Sequence, residues 1–130
     1  MNVNSEKLKK HEDARGYLVE IIRKDEIAED IGQIHFSVSK PGAVRGNHYH
    51  NRKVEWFCVV KGKALLVLED INSGEKHELV LSGADPQLVK VFPGVVHAIR
   101  NAGNNVMYLI VANNEVFNPA DPDTYPRVII

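Results

Sequence analysis

Apolar and polar residues alternate over short stretches of this chain, which is the pattern of half-buried β-strands. Residues 33–39 show it most clearly, because three apolar side chains share one face while His35 and Ser37 share the other. Further strands are predicted at residues 17–22, 76–81 and 88–92, and the residue types at 128–130 favour β-structure. Helical periodicity is nearly absent, and we expect only one helical turn or a loop at residues 25–31.

Three other predicted strands are apolar on both faces: residues 55–60, 64–69 and 106–112. The first two are separated only by a Lys-Gly-Lys turn at Gly62, so we expect them to form a hairpin that is buried on both sides. In a sheet of such strands, both faces must be shielded from water. We expect another subunit or the C-terminal tail to cover one of these two faces.

Glycine, proline and asparagine separate these short strands, which is typical of an all-β sandwich or barrel. We find no internal boundary, repeat or low-complexity segment, so the chain is predicted to form a single domain over residues 13–130. Residues 1–12 are polar and are predicted to be a leader ahead of that domain. A chain of 130 residues is long enough to form a stable hydrophobic core without disulfides or structural metals.

The composition narrows the class of protein and its location. The formal net charge of -1 gives no basic field, so we expect no nucleic-acid partner. Cys58 is the single cysteine, which excludes an intrachain disulfide and fits a reducing compartment. No apolar run approaches the roughly 20 residues that cross a bilayer, and no signal peptide is visible. We therefore expect a soluble, cytoplasmic protein with no membrane partner.

Four side chains that commonly bind metals stand at intervals that an all-β fold can bring together. His48 and His50 are two positions apart, so both imidazoles leave the same face of an extended strand. Glu55 follows after the polar interval 51–54, where the chain can turn back, and His97 comes much later. Together they predict a mixed nitrogen and oxygen site for a divalent metal.

These ligands belong to a longer pattern that resembles the two cupin motifs. The first motif, G-x5-H-x-H-x3,4-E-x6-G, is matched in full by Gly42, His48, His50, Glu55 and Gly62. The second motif is matched only in its later half, by Gly94, His97 and Asn101, because the proline is shifted by one position to Pro93. The resemblance implies a jelly-roll β-barrel with the ligands at its mouth. Three imidazoles and one carboxylate suit zinc, iron, manganese or nickel, and the ligand set alone does not choose among them.

Three segments narrow the resemblance within the cupins. Residues 39–50, 114–119 and 122–125 resemble the C-terminal cupin domain of capsular-polysaccharide assembling proteins, and the similarity covers about residues 31–130. Residues 13–16 resemble nucleotide-sugar epimerases, although this similarity is weaker. The resemblance implies an epimerase with bound zinc that acts at carbon 3 of a UDP-linked 4-keto-6-deoxy sugar in surface-polysaccharide biosynthesis. It also implies a homodimer.

In that family the cupin domain follows a short-chain reductase domain, whereas no glycine-rich dinucleotide fingerprint follows any predicted strand here. The resemblance therefore implies either a separate short-chain reductase as a partner or a different activity. A neighbouring family, the nucleotide-sugar 3,4-ketoisomerases, shares the Arg-Gly-x-His-x-His segment but typically lacks the glutamate. Glu55 therefore favours the metal-binding branch.

An epimerase of a keto sugar needs a base beside the carbon next to the ketone. His35 and Tyr49 are the candidates. His35 either points into the barrel or is an exposed strand histidine, and Tyr49 alternates out of phase with the ligands, which favours outward packing. Arg45, Arg52 and Lys53 are candidates for binding a nucleotide diphosphate, although a solvated loop explains them equally well.

Two other functions fit the same residues. Cupins with three histidines and a glutamate also hold iron for oxygen chemistry, so a metal-dependent oxygenase is one alternative. A non-catalytic module that binds a sugar or a metal is the other. An epimerase would exchange substrate protons with solvent without consuming oxygen, an oxygenase would consume it, and a binding module would do neither.

Overall fold

The computed structural model describes all 130 residues and contains twelve β-strands and one short 3-10 turn, Lys24–Glu26. The strands are, in chain order, β1 (Asn4–Lys7), β2 (Lys10–Asp13), β3 (Gly16–Val19), β4 (Gln33–Ser39), β5 (Val44–Tyr49), β6 (Glu55–Lys61), β7 (Lys63–Asp70), β8 (Lys76–Ser82), β9 (Gln87–Val91), β10 (Val95–Asn101), β11 (Met107–Asn113) and β12 (Tyr125–Pro126). The prediction of an all-β protein is confirmed.

Ten of these strands form two five-stranded antiparallel sheets. Sheet 1 has the order β1-β9-β6-β11-β4, and sheet 2 has the order β12-β5-β10-β7-β8. The remaining strands, β2 and β3, form a separate two-stranded hairpin. Neighbours in each sheet are mostly distant along the chain, so the connections pass repeatedly between the sheets.

The main hydrophobic core lies between the two sheets. Phe57 and Val59 of β6 and Leu109 of β11 contribute from sheet 1, and Leu66 of β7 and Ile99 of β10 contribute from sheet 2. All of these side chains are buried. The inward positions of each strand alternate with outward ones, so the core side chains come from every second residue.

A second, smaller core covers the outer face of sheet 1. Trp56 and Cys58 of β6 and Ala112 of β11 are buried there, and partly buried apolar side chains of residues 8–31 pack against them. Another subunit or the C-terminal tail was predicted to cover one sheet face. On this part of sheet 1 the N-terminal segment supplies the apolar cover instead, and for the other sheet faces the expectation stays a prediction.

The predicted strands match the observed strands closely where the apolar pattern is regular. The predicted strand at residues 33–39 coincides with β4, and five more predictions agree with β6, β7, β8, β9 and β11 to within one residue at either end. Residues 128–130 favour β-structure by their residue types but form no strand, and β12 is Tyr125–Pro126. The last two residues donate backbone N–H groups to the Asn47 side chain, so their hydrogen bonds do not belong to a sheet ladder.

The predicted hairpin between β6 and β7 is also wrong. The strand β6 lies in sheet 1 between β9 and β11, whereas β7 lies in sheet 2 between β10 and β8. Gly62, with φ of 88°, turns the chain from one sheet into the other. A β-carbon at Gly62 would lie 3.0 Å from the Val106 carbonyl oxygen, so glycine suits this close corner. The two apolar faces of β6 therefore reflect sandwich packing on one side and the N-terminal cover on the other.

The predicted leader contributes a strand to sheet 1. Residues 4–7 form β1, which pairs with β9, and the Ser5 hydroxyl donates to Gln87 Oε1 at 2.8 Å. The predicted boundary between a leader of residues 1–12 and a domain of residues 13–130 stays a prediction. The structure has no helix with the length and apolar character needed to span a membrane.

Candidate metal centre

The four predicted metal ligands meet between the two sheets. His48 in β5 lies directly opposite His97 in β10, and their ring centroids are 4.6 Å apart. His50 follows the last residue of β5 in sheet 2, and Glu55 is the first residue of β6 in sheet 1. The short connection from His50 to Glu55 therefore crosses from one sheet to the other, with a ligand at each end.

An extra residue in β5 allows this close approach. The pairing of β5 with β10 skips Asn47, because His48 lies opposite His97 while Gly46 lies opposite Ala98. Gly46 and Asn47 have φ angles of 92° and 55°, as in a β-bulge that begins with glycine. A β-carbon at Gly46 would lie 2.7 Å from the His97 carbonyl oxygen, so only glycine fits there.

The Glu55 carboxylate lies among the imidazoles. Its Oε1 atom is 2.7 Å from His50 Nε2 and 3.1 Å from His97 Nε2. One donor atom from each of these residues and from His48 lies within 4.8 Å of all the others. Donors bound at about 2.1 Å to a single ion are separated by up to about 4.2 Å, so a small side-chain adjustment brings the four around one ion. The cluster can therefore hold a metal ion.

Burial and mutual contact set the charges in the cluster. Burial is the main reason that the pKa of His48 is lowered to about 4, and the neighbouring His97 and His50 add to this effect. Burial alone would raise the pKa of Glu55, but hydrogen bonds from His50 and His97 outweigh it and the pKa is lowered. At neutral pH the cluster therefore offers a carboxylate and a neutral His48 imidazole, which are the forms that bind metals.

Two backbone carbonyl groups determine which imidazole nitrogen faces the centre. His50 Nδ1 lies 2.6 Å from the Asp123 carbonyl oxygen, and His97 Nδ1 lies 3.3 Å from the Val95 carbonyl oxygen. A carbonyl oxygen only accepts hydrogen bonds, so each Nδ1 carries a proton and donates. The Nε2 atoms of both rings consequently point toward Glu55, as in metal sites where a ligand histidine is oriented by its other nitrogen.

The second oxygen of Glu55 is held from sheet 1. Asn113, the last residue of β11, donates from Nδ2 to Glu55 Oε2 at 2.9 Å. Both side chains are buried. Because this bond occupies Oε2, Oε1 remains directed at the imidazoles, and the carboxylate is fixed in orientation.

A cavity of about 290 Å³ opens beside the cluster. Its polar side is formed by His48, Glu55 and His97 together with His35, Ser37 and Arg45, and its apolar side by Phe57, Ile99, Leu109 and Val111. The buried Ser37 hydroxyl has no hydrogen-bond partner. His35 and Arg45, two of the predicted functional residues, thus line the same space as the ligand cluster. The lining is therefore complementary to a small ligand that has both polar and apolar parts.

Three other predicted site residues do not line this cavity. Tyr49 stacks on Tyr125 with ring centroids 5.4 Å apart. Arg52 is exposed and pairs with acidic residues of the C-terminal segment, while Lys53 is buried and donates from Nζ to the Pro122 carbonyl oxygen at 2.8 Å. The roles predicted for Tyr49, Arg52 and Lys53 stay predictions.

Three residues of the site were not among the sequence predictions: Ser37, Asn113 and Asp123. Ser37 could have been found, because it shares the polar face of the predicted strand with His35. Asn113 and Asp123 carry no such signal, since each lies in a polar segment and contacts a ligand that is more than fifty residues away in the chain.

An all-β sandwich that brings three histidines and a glutamate to an internal cavity defines a protein of the cupin class. Within that class, this chain belongs to the polysaccharide biosynthesis C-terminal domain family, whose model matches residues 11–125.

Two relatives illustrate the family. The UDP-2-acetamido-2,6-β-L-arabino-hexul-4-ose reductase of Pseudomonas aeruginosa is 38% identical over 115 residues, which are 88% of this chain and 30% of that protein. The spore coat polysaccharide biosynthesis protein SpsL of Bacillus subtilis is 32% identical over 127 residues, which are 93% of this chain and 84% of that protein. This chain therefore spans less than a third of the first relative and most of the second.

Solved structures show the same fold. The capsular polysaccharide assembling protein CapF of Staphylococcus aureus has 37% sequence identity and a TM-score of 0.74, over 94% of this chain and 34% of that one. The dTDP-6-deoxy-D-glucose-3,5-epimerase RmlC of Legionella pneumophila, in complex with dTDP-4-keto-L-rhamnose, has a TM-score of 0.82 at 21% identity, over 91% of this chain and 69% of that one. The second likeness concerns the fold alone.

Proposed function

We propose that this protein epimerises or isomerises a nucleotide-linked 4-keto-6-deoxy sugar in surface-polysaccharide biosynthesis and that it uses a bound divalent metal. The observation that carries the proposal is the cavity, because the ligand cluster, His35 and Arg45 all line it. The family match to polysaccharide biosynthesis proteins supports the pathway. The Pseudomonas aeruginosa relative, which is named as a reductase of a UDP-linked hexul-4-ose, supports the substrate class.

In this proposal His48, His50, Glu55 and His97 hold the ion. We choose zinc first, because the resemblance to capsular-polysaccharide assembling proteins implies it, with iron, manganese or nickel as alternatives. A metal bound there would supply a Lewis acid that stabilises the negative charge of an enolate oxygen. Proton transfer and substrate binding are assigned to residues that line the cavity.

His35 is the base that we propose for the reaction. It would take the proton from the carbon next to the ketone, so that the carbon–hydrogen bond breaks and its electron pair enters the enolate. Return of a proton to the opposite face of that carbon completes an epimerisation. Tyr49 remains the second candidate, although its stacking on Tyr125 gives it less access to the cavity.

Arg45 is the residue that we propose for binding the diphosphate. Its Nε donates to Ser39 Oγ at 2.8 Å and its Nη2 donates to the Val38 carbonyl oxygen at 3.1 Å. These bonds orient the guanidinium at the edge of the cavity and leave other N–H groups for an anion. The apolar side of the cavity, which includes Ile99 and Leu109, suits the methyl group of a 6-deoxy sugar.

We also propose a homodimer, a separate short-chain reductase as partner, and a cytoplasmic location. Three exposed apolar side chains on the outer face of β4, Ile34, Phe36 and Val38, support the dimer. Sedimentation equilibrium tests it, and a monomer mass at micromolar concentration would contradict it. The cytoplasmic location is supported by Cys58, which is the single cysteine and is buried and free, as fits a reducing compartment.

The proposed function is tested by following solvent deuterium into a panel of UDP- and dTDP-linked 4-keto sugars by NMR, with and without a chelator. We expect exchange at a carbon next to the ketone, loss of exchange after chelation, and recovery on adding zinc. Oxygen consumption with the iron-loaded protein would favour the oxygenase. Protection of a nucleotide sugar with neither exchange nor oxygen consumption would favour the binding module.

The same assay tests the role of His35. Replacing a general base typically lowers the rate by about 100-fold or more, so His35→Ala should lose that much exchange while it keeps its metal. The matched control is His11→Ala, because His11 is an exposed histidine of the β2–β3 hairpin. Equal exchange rates in the two variants would remove His35 from the mechanism.

A further inference from the structure

We propose that Asp123 is a positioning residue of the metal centre, which holds the connection between His50 and Glu55 and also orients the His50 ring. The inference rests on the metal centre of the proposed function. Asp123 is buried, and it lies in the C-terminal segment just before β12. It is not one of the residues that line the cavity, so any effect on metal binding must pass through the ligands that it contacts.

The Asp123 carboxylate accepts hydrogen bonds from three consecutive backbone N–H groups. The donors are Asn51 at 3.0 Å, Arg52 at 2.9 Å and Lys53 at 3.0 Å. These residues form most of the connection between the two ligands. A buried carboxylate with three backbone donors fixes the shape of that connection, and therefore the spacing of His50 and Glu55.

The ionised form of Asp123 is the form that can accept all three bonds. Both oxygens of a carboxylate only accept, and the two together serve the three N–H groups: Oδ1 accepts from Asn51, and Oδ2 accepts from Arg52 and Lys53.

The backbone of the same residue orients the His50 ring. Asp123 has a φ of 48°, a left-handed conformation that aspartate tolerates better than most residues. Its carbonyl oxygen lies 2.6 Å from His50 Nδ1, while its side chain reaches the connection. The two contacts are coupled, because movement of the side chain would also move the carbonyl that fixes the proton on Nδ1.

Neighbouring contacts hold the connection in the same way. Lys53 donates from Nζ to the Pro122 carbonyl oxygen at 2.8 Å, and the Val54 N–H donates to Asn114 Oδ1 at 3.0 Å. The C-terminal part of the chain therefore encloses the connection along its length. A positioning role predicts that metal affinity depends on this enclosure, whereas a purely structural role predicts an effect on stability alone.

The test compares Asp123→Asn with Asp121→Asn. Asparagine has the length of aspartate and tolerates the left-handed backbone, but its amide presents an NH₂ group where the carboxylate accepts. Asp121 is a matched control, because it is an exposed aspartate of the same segment whose carboxylate pairs only with Arg52. Both variants undergo the same chemical change within two residues of each other.

Zinc affinity is measured on the metal-free proteins by competition with a chromogenic chelator, at a temperature where circular dichroism shows each variant to be folded. We expect Asp123→Asn to bind zinc about 10–100-fold more weakly than wild type, and Asp121→Asn to stay within about twofold of it. Equal affinities in wild type and Asp123→Asn, even with a lowered melting temperature, would overturn the positioning role. Failure of the wild-type protein to bind any divalent metal would instead overturn the metal centre itself.

A spectroscopic measurement decides the question if Asp123→Asn does not fold. Long-range proton–nitrogen NMR spectra of the zinc-loaded wild-type protein report which nitrogen of His50 carries the proton. A protonated Nδ1 that exchanges slowly with solvent is expected from the bond to Asp123. An unprotonated Nδ1, or one that exchanges as rapidly as that of an exposed histidine, would overturn the proposal.

Discussion

Both carboxylate oxygens of Glu55 are in contact with other residues of the site. Oε1 faces the imidazoles of His50 and His97, whereas Oε2 accepts a hydrogen bond from the Asn113 amide. The first oxygen is therefore directed at the metal centre, and the second holds the carboxylate in place. The carboxylate also offsets the burial of His50, because burial alone would lower the pKa of that imidazole but the hydrogen bond and charge of Glu55 outweigh burial and raise it. Removing it should affect metal binding before it affects the fold.

We expect Glu55→Ala to lose most of its bound metal. Loss of a group that merely orients a ligand typically weakens metal binding by about 10–100-fold, and loss of a ligand itself should exceed that range. Elemental analysis after dialysis against equimolar metal measures the effect. The control is Glu78→Ala on β8, an exposed glutamate that forms no ion pair. Full metal content in Glu55→Ala would contradict the site as described.

Among the elements, the β-bulge in β5 lies where the strands of His48 and His97 meet. It places an extra residue, Asn47, between Gly46 and His48, and so changes the register with β10 at the position of His97. The Asn47 side chain accepts the backbone N–H groups of Ile129 and Ile130, so the end of the chain is attached at the bulge. The strand pair and the C-terminal segment consequently support the same ligand, His48.

Gly46→Ala should therefore damage both stability and metal binding. The β-carbon would meet the His97 carbonyl oxygen at 2.7 Å in addition to the strain of a φ of 92°, and we expect a loss of roughly 3 kcal/mol in the free energy of unfolding. Gly42→Ala is the control, because Gly42 also has a positive φ but has no atom within 4 Å of the added carbon. Its cost should be about 1 kcal/mol, with unchanged zinc affinity. Urea denaturation gives both values, and equal losses would argue against the close approach.

The sequence predicts those elements whose pattern is local. The alternation in residues 33–39 predicts β4 with both ends correct, and the intervals among His48, His50 and Glu55 are enough to predict a cluster. The path from β6 to β7 was not predictable in the same way, because a Lys-Gly-Lys turn fits a hairpin and a corner between sheets equally well. The contacts of Asp123 depend on the folded tail, which local periodicity does not encode.

At the scale of the whole molecule, the ligand cluster joins the two sheets. His48 and His97 belong to sheet 2 and Glu55 belongs to sheet 1, so the four donors approach one another only when the sandwich is assembled. The unfolded chain keeps only the group that is local in sequence, His48, His50 and Glu55, without the distant His97 and without a fixed geometry. A metal that uses all four donors must therefore bind the folded state far more tightly than the unfolded state.

Metal binding should consequently raise the melting temperature of the whole domain. At a free zinc concentration of about 100 times the dissociation constant, the stabilisation is about 2.7 kcal/mol, which corresponds to a shift of roughly 10 °C for a domain of this size. Differential scanning calorimetry at increasing free zinc measures the shift, and a chelator should reverse it. Glu55→Ala should shift far less, because only imidazoles remain to distinguish the folded state from the unfolded one. An equal shift in wild type and in Glu55→Ala would mean that the metal binds elsewhere on the folded protein, and no shift in wild type would mean that the two sheets do not share an ion.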